Sequence, residues 1–178
     1  MEQIYDLIVI GNGPAGLSAA ISAGRAGLSV LVIADNGEAG GNLKGEREVA
    51  AYPGFPSISG AELSSMLFEH AQVSGAEFAQ DEITGIRLKE NIKTVLSKKK
   101  EYAASGVIIA SGAGSDYVHT ENYLNKDETG RILAGEDCRT NILQVYAAGN
   151  ARRKPFSELI SALSDGAAAV SSFLDDIN

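Results

Sequence analysis

The chain has 178 residues, of which 44% are hydrophobic, and a net charge of −8. That length suits one globular domain, and the acidic balance argues against a nucleic-acid partner. No apolar run reaches the roughly 18 residues of a membrane span, and the opening MEQIYDLIVI lacks the basic start and long apolar stretch of a secretion signal, so a cytoplasmic protein is expected.

Residues 4–10, a short Ile- and Val-rich run ending at a glycine, read as a buried strand. GNGPAG follows, with Gly11, Gly13 and Gly16 in the spacing G-x-G-x-x-G, and Pro14 is suited to the first turn of a helix because its missing N–H has no intrahelical partner there. The helix AGLSAAISAGRAG is rich in small residues, and SVLVIA, residues 29–34, is a second strand. Strand, glycine turn, helix and strand within about thirty residues form the βαβ context of dinucleotide binding. The three glycines serve different ends. Gly11 permits the tight turn out of the strand, Gly13 the approach of backbone to pyrophosphate, and Gly16 the close packing of the helix. The helix start, with Ala15 in its first turn, offers N–H groups and a positive dipole end to an anion. At the end of the second strand, Ala34 and Asp35 stand where an acidic residue holds the adenosine ribose; Glu38 is the weaker candidate, and Asp35 equally suits a turn with Asn36-Gly37.

Residues 35–57 read as loop, including Gly41, Asn42 and Leu43 of GGNL and the later YPGF. SGAELSSMLFEHAQVSG reads as a helix: Ser59 and Glu62 match a capping box, and Leu63, Met66, Leu67 and Ala71 recur at helical spacing as a core stripe, with His70 partly covered. Residues 82–112 contain three strand-like segments with a turn at Glu90-Asn91, and Lys98-Lys99-Lys100 is a solvated turn. The third segment ends at Ala110, Ser111 and Gly112. After an irregular stretch, residues 113–130, come a short RIL segment, a strand at 144–149 and a final helix over roughly residues 156–176, with Ile160, Leu163, Ala167, Val170 and Leu174 at helical spacing. Cys138 is the only cysteine, so the sequence holds no intrachain disulfide, CxxC pair or cysteine metal cluster, and Cys138 reads as an incidental loop residue. With only His70 and His119, a histidine metal site or Ser-His-Asp triad is poorly supported, and no metal is expected.

Several distant segments together resemble the flavin domain of low-molecular-weight thioredoxin reductases: GNGPAGLSAAISAGRAGLSVLVI, GGNL, YPGF, SGAELSSML, VIIASGA, TGRI, VYAAGN and SALSDGAAAVSSFL. The resemblance implies FAD as cofactor, and an α/β fold: a Rossmann-like three-layer FAD-binding domain with a central parallel sheet and a small antiparallel β-sheet. It also implies that Gly149 and Asn150 face the ribityl chain, where the family has Gly-Asp, and that Ser157, Glu158 and Leu159 at the start of the last helix face the flavin pyrimidine edge. Ala51 stands where the family has an Asn close to the ring, within KGEREVAA, so no catalytic residue is assigned to that loop.

The family also inserts an NADPH domain with a CxxC between the segments resembling VIIASGA and TGRI. Here the sequence passes from Gly112 to Thr129 through about sixteen residues; Gly112-Ala113-Gly114 lacks the third fingerprint glycine, and a βαβ unit needs about 30 residues or more. The implied organisation is a single domain over residues 1–178, its segments 1–112 and 128–178 joined by 113–127 in place of the insert. The implied function is an oxidoreductase or electron-transfer flavoprotein that exchanges electrons with a separate donor and acceptor, a ferredoxin- or flavodoxin-like protein or a small molecule, and forms homodimers as family flavin domains do. The alternatives are a non-catalytic FAD-binding subunit, sensor or assembly module, and an NAD-binding dehydrogenase domain. Arg152, Arg153 and Lys154 suit docking of an acidic redox partner, a cofactor phosphate contact, or a solvated loop.

Overall fold

The computed structural model describes residues 3–35, 39–88, 91–112, 124–156 and 158–178. Its strands are β1 (Ile4–Ile10), β2 (Val30–Ala34), β3 (Glu77–Gln80), β4 (Ile83–Arg87), β5 (Lys93–Ser97), β6 (Glu101–Ile109) and β7 (Val145–Ala147); its helices are α1 (Pro14–Arg25), α2 (Gly60–Val73) and α3 (Leu159–Ile177). The strands run β3-β2-β1-β6-β5-β4 across the sheet, with β7 also pairing β6.

Strand β6 joins two kinds of sheet. Its first half pairs antiparallel with β5, Tyr102 opposite Val95, and its second half pairs parallel with β7, Ile108 opposite Tyr146. On its other side β1 runs parallel along nearly its whole length, from Ile4 opposite Ala103 to Ile10 opposite Ile109. The result is the expected Rossmann-like arrangement, a parallel core β3-β2-β1-β6-β7 with a small antiparallel layer β4-β5 folded from the same sheet.

The period-two alternation of strands sorts the core into two layers. Leu7, Val9, Val30 and Val32 face the helices, where they meet Leu17, Leu63, Leu67 and Phe173. Ile8, Ile10, Leu31 and Ile33 face the other way, onto Ile86, Val95 and Ile132. Both faces are covered, which is why β1 and β2 read as continuous apolar runs. Helices α1 and α3 approach closely enough that a Cβ on Gly166 would overlap the Ala15 carbonyl oxygen, and Ser18 Oγ donates to the Leu163 carbonyl at 2.6 Å.

Ser59 caps α2 as its spacing predicts, its hydroxyl accepting from the Glu62 N–H at 3.2 Å. Two expectations for that helix need correction. Met66 is 44% exposed and His70 is exposed, because α2 turns Leu63, Leu67 and Ala71 inward over a narrower stripe. In α3 the inward face is Asp165, Gly166, Ala169, Val170 and Phe173, while Ile160 and Ala167 are exposed. Strand β3, which local sequence pattern does not predict, is held by the parallel edge of β2. Lys98, Lys99 and Lys100 form the exposed turn between β5 and β6. Glu90 of the Glu90-Asn91 turn, the Asn36-Gly37 turn, Glu38, His119 and most of the 113–127 connection lie outside the described residues. From Leu124 onward the chain forms a small hairpin, Lys126 bridging Ile132 around the Asp127–Arg131 turn.

Candidate functional site

The glycine turn is built as its spacing demands. Gly11 has φ +105°, a Cβ there would come 2.6 Å from the Ala110 carbonyl oxygen, and its N–H donates to the Ile33 carbonyl at 2.8 Å. A Cβ on Gly16 would overlap the Gly11 carbonyl oxygen, so Gly16 lets α1 start directly against the strand end. A Cβ on Gly13 would instead meet no protein atom within 4 Å. Gly13 is the N-cap of α1 and makes no side-chain cap bond, and Pro14 takes the first position, leaving the first-turn N–H groups directed out of the helix end.

That helix end opens into a cleft of about 740 Å³. Gly11, Gly13, Pro14 and Ala15 line one wall, and Ala34 and Asp35 at the end of β2 line the next. Gly41, Asn42 and Leu43 arrive on a 3-10 turn, drawn in by the Gly40 N–H, which donates to the Asn12 carbonyl at 2.9 Å. Ala110, Ser111 and Gly112 enter from the end of β6, and Gly149, Asn150, Glu158 and Leu159 from the turn and helix start that close the fold. Of the residues singled out from the sequence, Gly16 sits behind this lining and Ser157 lies outside the described residues. Ile10, Asn12, Ile33, Glu46, Asp81, Glu82, Ile83 and Ala162 were missed. Asn12 is inside the fingerprint and could have been taken; Asp81 to Ile83 became visible only once β3 ran into β4 beside β2.

The cleft is acidic. Asp35, Glu46, Asp81, Glu82 and Glu158 line it, and its described lining has no Lys, Arg, His or Cys. An anion here would be held by backbone N–H groups and helix dipoles. Burial opposes ionisation of Asp81, but hydrogen bonds from Ser97 Oγ, Tyr102 Oη at 3.1 Å and the Glu82 N–H at 2.9 Å outweigh it and hold the carboxyl below its usual range. Ser111 Oγ is buried at the cleft wall without a hydrogen-bond partner, a costly state for a hydroxyl unless a ligand completes it. Ser111 together with the open side of Gly13 gives a long polar ligand both a donor and room for its backbone, so the residues present fit a dinucleotide. Among the described residues no three metal-ligating groups come together, and no helix is long and apolar enough to cross a membrane.

Arg152 and Lys154 do not face solvent as docking or loop residues would. Their side chains are 11% and 3% exposed and both pair with Asp165 of α3, at 3.1 and 3.0 Å; only Arg153 of the three is exposed. Neither lines the cleft, so the phosphate-contact reading also fails for them. Cys138 is likewise no incidental loop residue: it is fully buried at φ +65°, its Sγ donating to the Asp165 carbonyl at 3.4 Å, and burial pushes the thiol up to about 11. Ala51 is exposed and lines a separate, more open depression of about 580 Å³ made by residues 50–56 alone.

The profile of pyridine nucleotide-disulphide oxidoreductases matches residues 5–116 and 49–166. The chain is similar to the thioredoxin reductase of Bacillus subtilis (strain 168), 48% identical over 112 residues, which are 63% of this chain and 35% of that protein. The chain thus spans about a third of the length of the curated relatives it matches. In fold it is similar to the thioredoxin reductase of Streptococcus pyogenes, with a TM-score of 0.89 at 19% identity over 99% of both chains. It is also similar to a ferredoxin-flavin thioredoxin reductase of Clostridium acetobutylicum, with a TM-score of 0.86 at 17% identity over 98% of both chains.

Proposed function

The chain belongs to the pyridine nucleotide-disulphide oxidoreductase family, and from that premise we propose that it is an FAD-binding flavoprotein that passes electrons between a separate donor and acceptor. The reading is carried by one observation: a single cleft joins the GNGPAG turn, the end of β2 and the start of α3, and holds the unpartnered hydroxyl of Ser111. In this reading Asp35 holds the adenosine ribose, and Gly13, Pro14 and Ala15 bring N–H groups to the pyrophosphate. Gly41, Asn42, Leu43 and Ala110 to Gly112 enclose the middle of the ligand. Gly149 and Asn150 hold the ribityl chain, and Glu158 and Leu159 approach the pyrimidine edge with the positive end of the α3 dipole behind them. When bound, the flavin supplies the redox chemistry; the chain supplies binding, orientation and tuning.

Segments 1–112 and 128–178 then make one FAD domain, residues 113–127 standing in the sequence where thioredoxin reductases carry an inserted NADPH and CxxC domain. With Cys138 buried and the sole cysteine of residues 1–178, these residues supply no dithiol, and in this reading the dithiol step and the nicotinamide site lie outside them. The donor and acceptor are redox proteins or small molecules, and cytoplasmic homodimers complete the reading.

Reconstitution with FAD followed by anaerobic reduction tests it. Protein that takes up FAD stoichiometrically, is reduced by a reduced ferredoxin- or flavodoxin-type carrier and is reoxidised by an acceptor supports the reading. Failure to retain FAD overturns it, rapid reduction by NADPH alone overturns the need for a separate donor, and FAD uptake without exchange with any carrier leaves the non-catalytic module as the better description.

A further inference from the structure

Behind the cleft wall lies an ionic cluster that the proposed function does not use. The Asp165 carboxylate accepts from three groups: the Gly149 N–H at 2.9 Å, the Arg152 guanidinium through Nε and Nη2 at 3.1 Å each, and the Lys154 ammonium at 3.0 Å. Arg152 also donates to the Gly135 carbonyl, and Lys154 to Ser161 Oγ at 3.1 Å. Ser161 in turn donates to the Glu158 carbonyl at 2.8 Å, so the ammonium is tied into the first turn of α3. All three charged side chains are nearly out of solvent, at 11%, 3% and 8% exposure for Arg152, Lys154 and Asp165.

One carboxylate and one cation would hold the Gly149 turn. A second buried cation adds desolvation cost and no further carboxylate, so beyond its bond to Ser161 Lys154 leaves the cluster one positive charge in surplus. The groups the cluster grips, Gly149 on one side and Glu158 on the other, both line the cleft, and Gly149 sits against Ala15 in the first turn of α1, where a Cβ on it would come 2.8 Å from that of Ala15. With the ribose end at Asp35 and the pyrophosphate at α1, the far end of a bound dinucleotide runs toward this wall.

Resting on the flavin site proposed above, we propose that Arg152, Lys154 and Asp165 form a positioning and electrostatic element that holds the Gly149–Ala151 turn and, through its surplus positive charge, favours reduced over oxidised flavin. Uptake of two electrons and one proton turns the neutral ring into a monoanion whose charge lies at the pyrimidine side. A buried cation in a medium of low effective dielectric stabilises that anion more than the neutral ring. The cluster touches no reacting atom; it acts through the turn and through its field.

Two variants with opposite charge consequences test this. Lys154→Met leaves a neutral Arg152–Asp165 pair. Asp165→Asn keeps an oxygen for the Gly149 N–H but leaves two cations unopposed. The midpoint potential of each FAD-loaded protein is measured with dithionite as reductant against a reference dye, beside the dissociation constant for oxidised FAD and thermal unfolding of the apoprotein. The expected result is about a tenfold fall in the ratio of affinities for reduced and oxidised FAD in Lys154→Met and about a tenfold rise in Asp165→Asn, ~30 mV each in opposite directions. Potentials that stay at the wild-type value, or move the same way in both variants, leave only a scaffolding role and overturn the inference while wild-type FAD binding stands. Wild-type protein that takes up no FAD overturns the functional reading and this inference together. Should Asp165→Asn not fold, Lys154→Met against Lys154→Arg decides alone: the first must lower the potential and the second restore it.

Discussion

Tyr146 donates its phenolic hydrogen to Asp176 Oδ2 at 2.6 Å, fastening the last turn of α3 to the buried middle of β7. Arg139 reaches the same carboxylate through Nε and Nη2, and donates through Nη1 to Asp137 at 2.9 Å. The helix whose N-terminus lines the cleft is therefore anchored at its other end by a side-chain network spanning three separate chain segments.

Tyr146→Phe removes a hydrogen bond to an ionised acceptor and should lower unfolding free energy by about 1–2 kcal/mol, read as a shifted urea midpoint at unchanged slope. An unchanged midpoint would show that Arg139 alone anchors the helix.

Acid sensitivity follows from the same carboxylate. The Arg139 guanidinium holds Asp176 below the usual carboxylate range against the opposing effect of burial, with help from the Tyr146 hydroxyl. A depressed folded value means that the contribution is complete above the unfolded value near 3.8 and is lost as pH falls below it toward the folded one. Unfolding midpoints between pH 6 and 2.5 should therefore drop chiefly in the lowest part of that range, and Asp176→Asn should flatten the drop.

Cys138 should resist alkylation at pH 8 in the native protein and react at once in denaturant, because burial raises its thiol to about 11 and removes it from solvent. Its folded value lies above the ordinary 9.0, so its contribution to stability is complete below pH 9 and is lost as pH rises through 11. Native-state labelling at a rate matching a free thiol would contradict this placement.

Gly13→Ala and Gly16→Ala should behave differently. The first adds a methyl where no protein atom stands within 4 Å, so the apoprotein should keep its stability and lose FAD affinity tenfold or more as the methyl occupies ligand space. The second drives a methyl into the Gly11 carbonyl and should destabilise the apoprotein itself by about 3 kcal/mol. Thermal unfolding of the two apoproteins beside FAD titration separates them.

Ser111→Ala removes a buried hydroxyl that has no protein partner, so apoprotein stability should hold or rise slightly. If that hydroxyl serves the ligand, FAD affinity should fall about tenfold, the worth of one net hydrogen bond. Loss of apoprotein stability with unchanged affinity would assign Ser111 to the scaffold instead.

Where residues act on near neighbours, the chain could be read directly. The βαβ unit and the role of Gly16 follow from periodicity and hard-sphere contact among residues a few positions apart, and the Ser59 cap needed only Glu62, whereas Gly11 is marked by the fingerprint spacing but meets the distant backbone of Ala110. Strand β3 was illegible because EFAQ has no strong period of its own and forms on an edge that β2 offers it. Spacing put Met66 in the core stripe of α2 and Ile160 and Ala167 in the apolar repeat of α3, yet the neighbouring sheet and helix α1 decided which part of each is covered.

The sequence by itself determined the βαβ unit and its glycine turn, since periodicity and the spacing of three glycines lie within a short run of chain, and its resemblance to a flavin domain picked out most of the cleft lining. Only the tertiary structure decided the fate of the charges: Arg152 and Lys154 look like solvated cations until α3 folds back and sets Asp165, thirteen and eleven positions away, between them. Whether a charge is buried and paired depends on which surface packs over it, and that is a property of the assembled fold rather than of any local stretch.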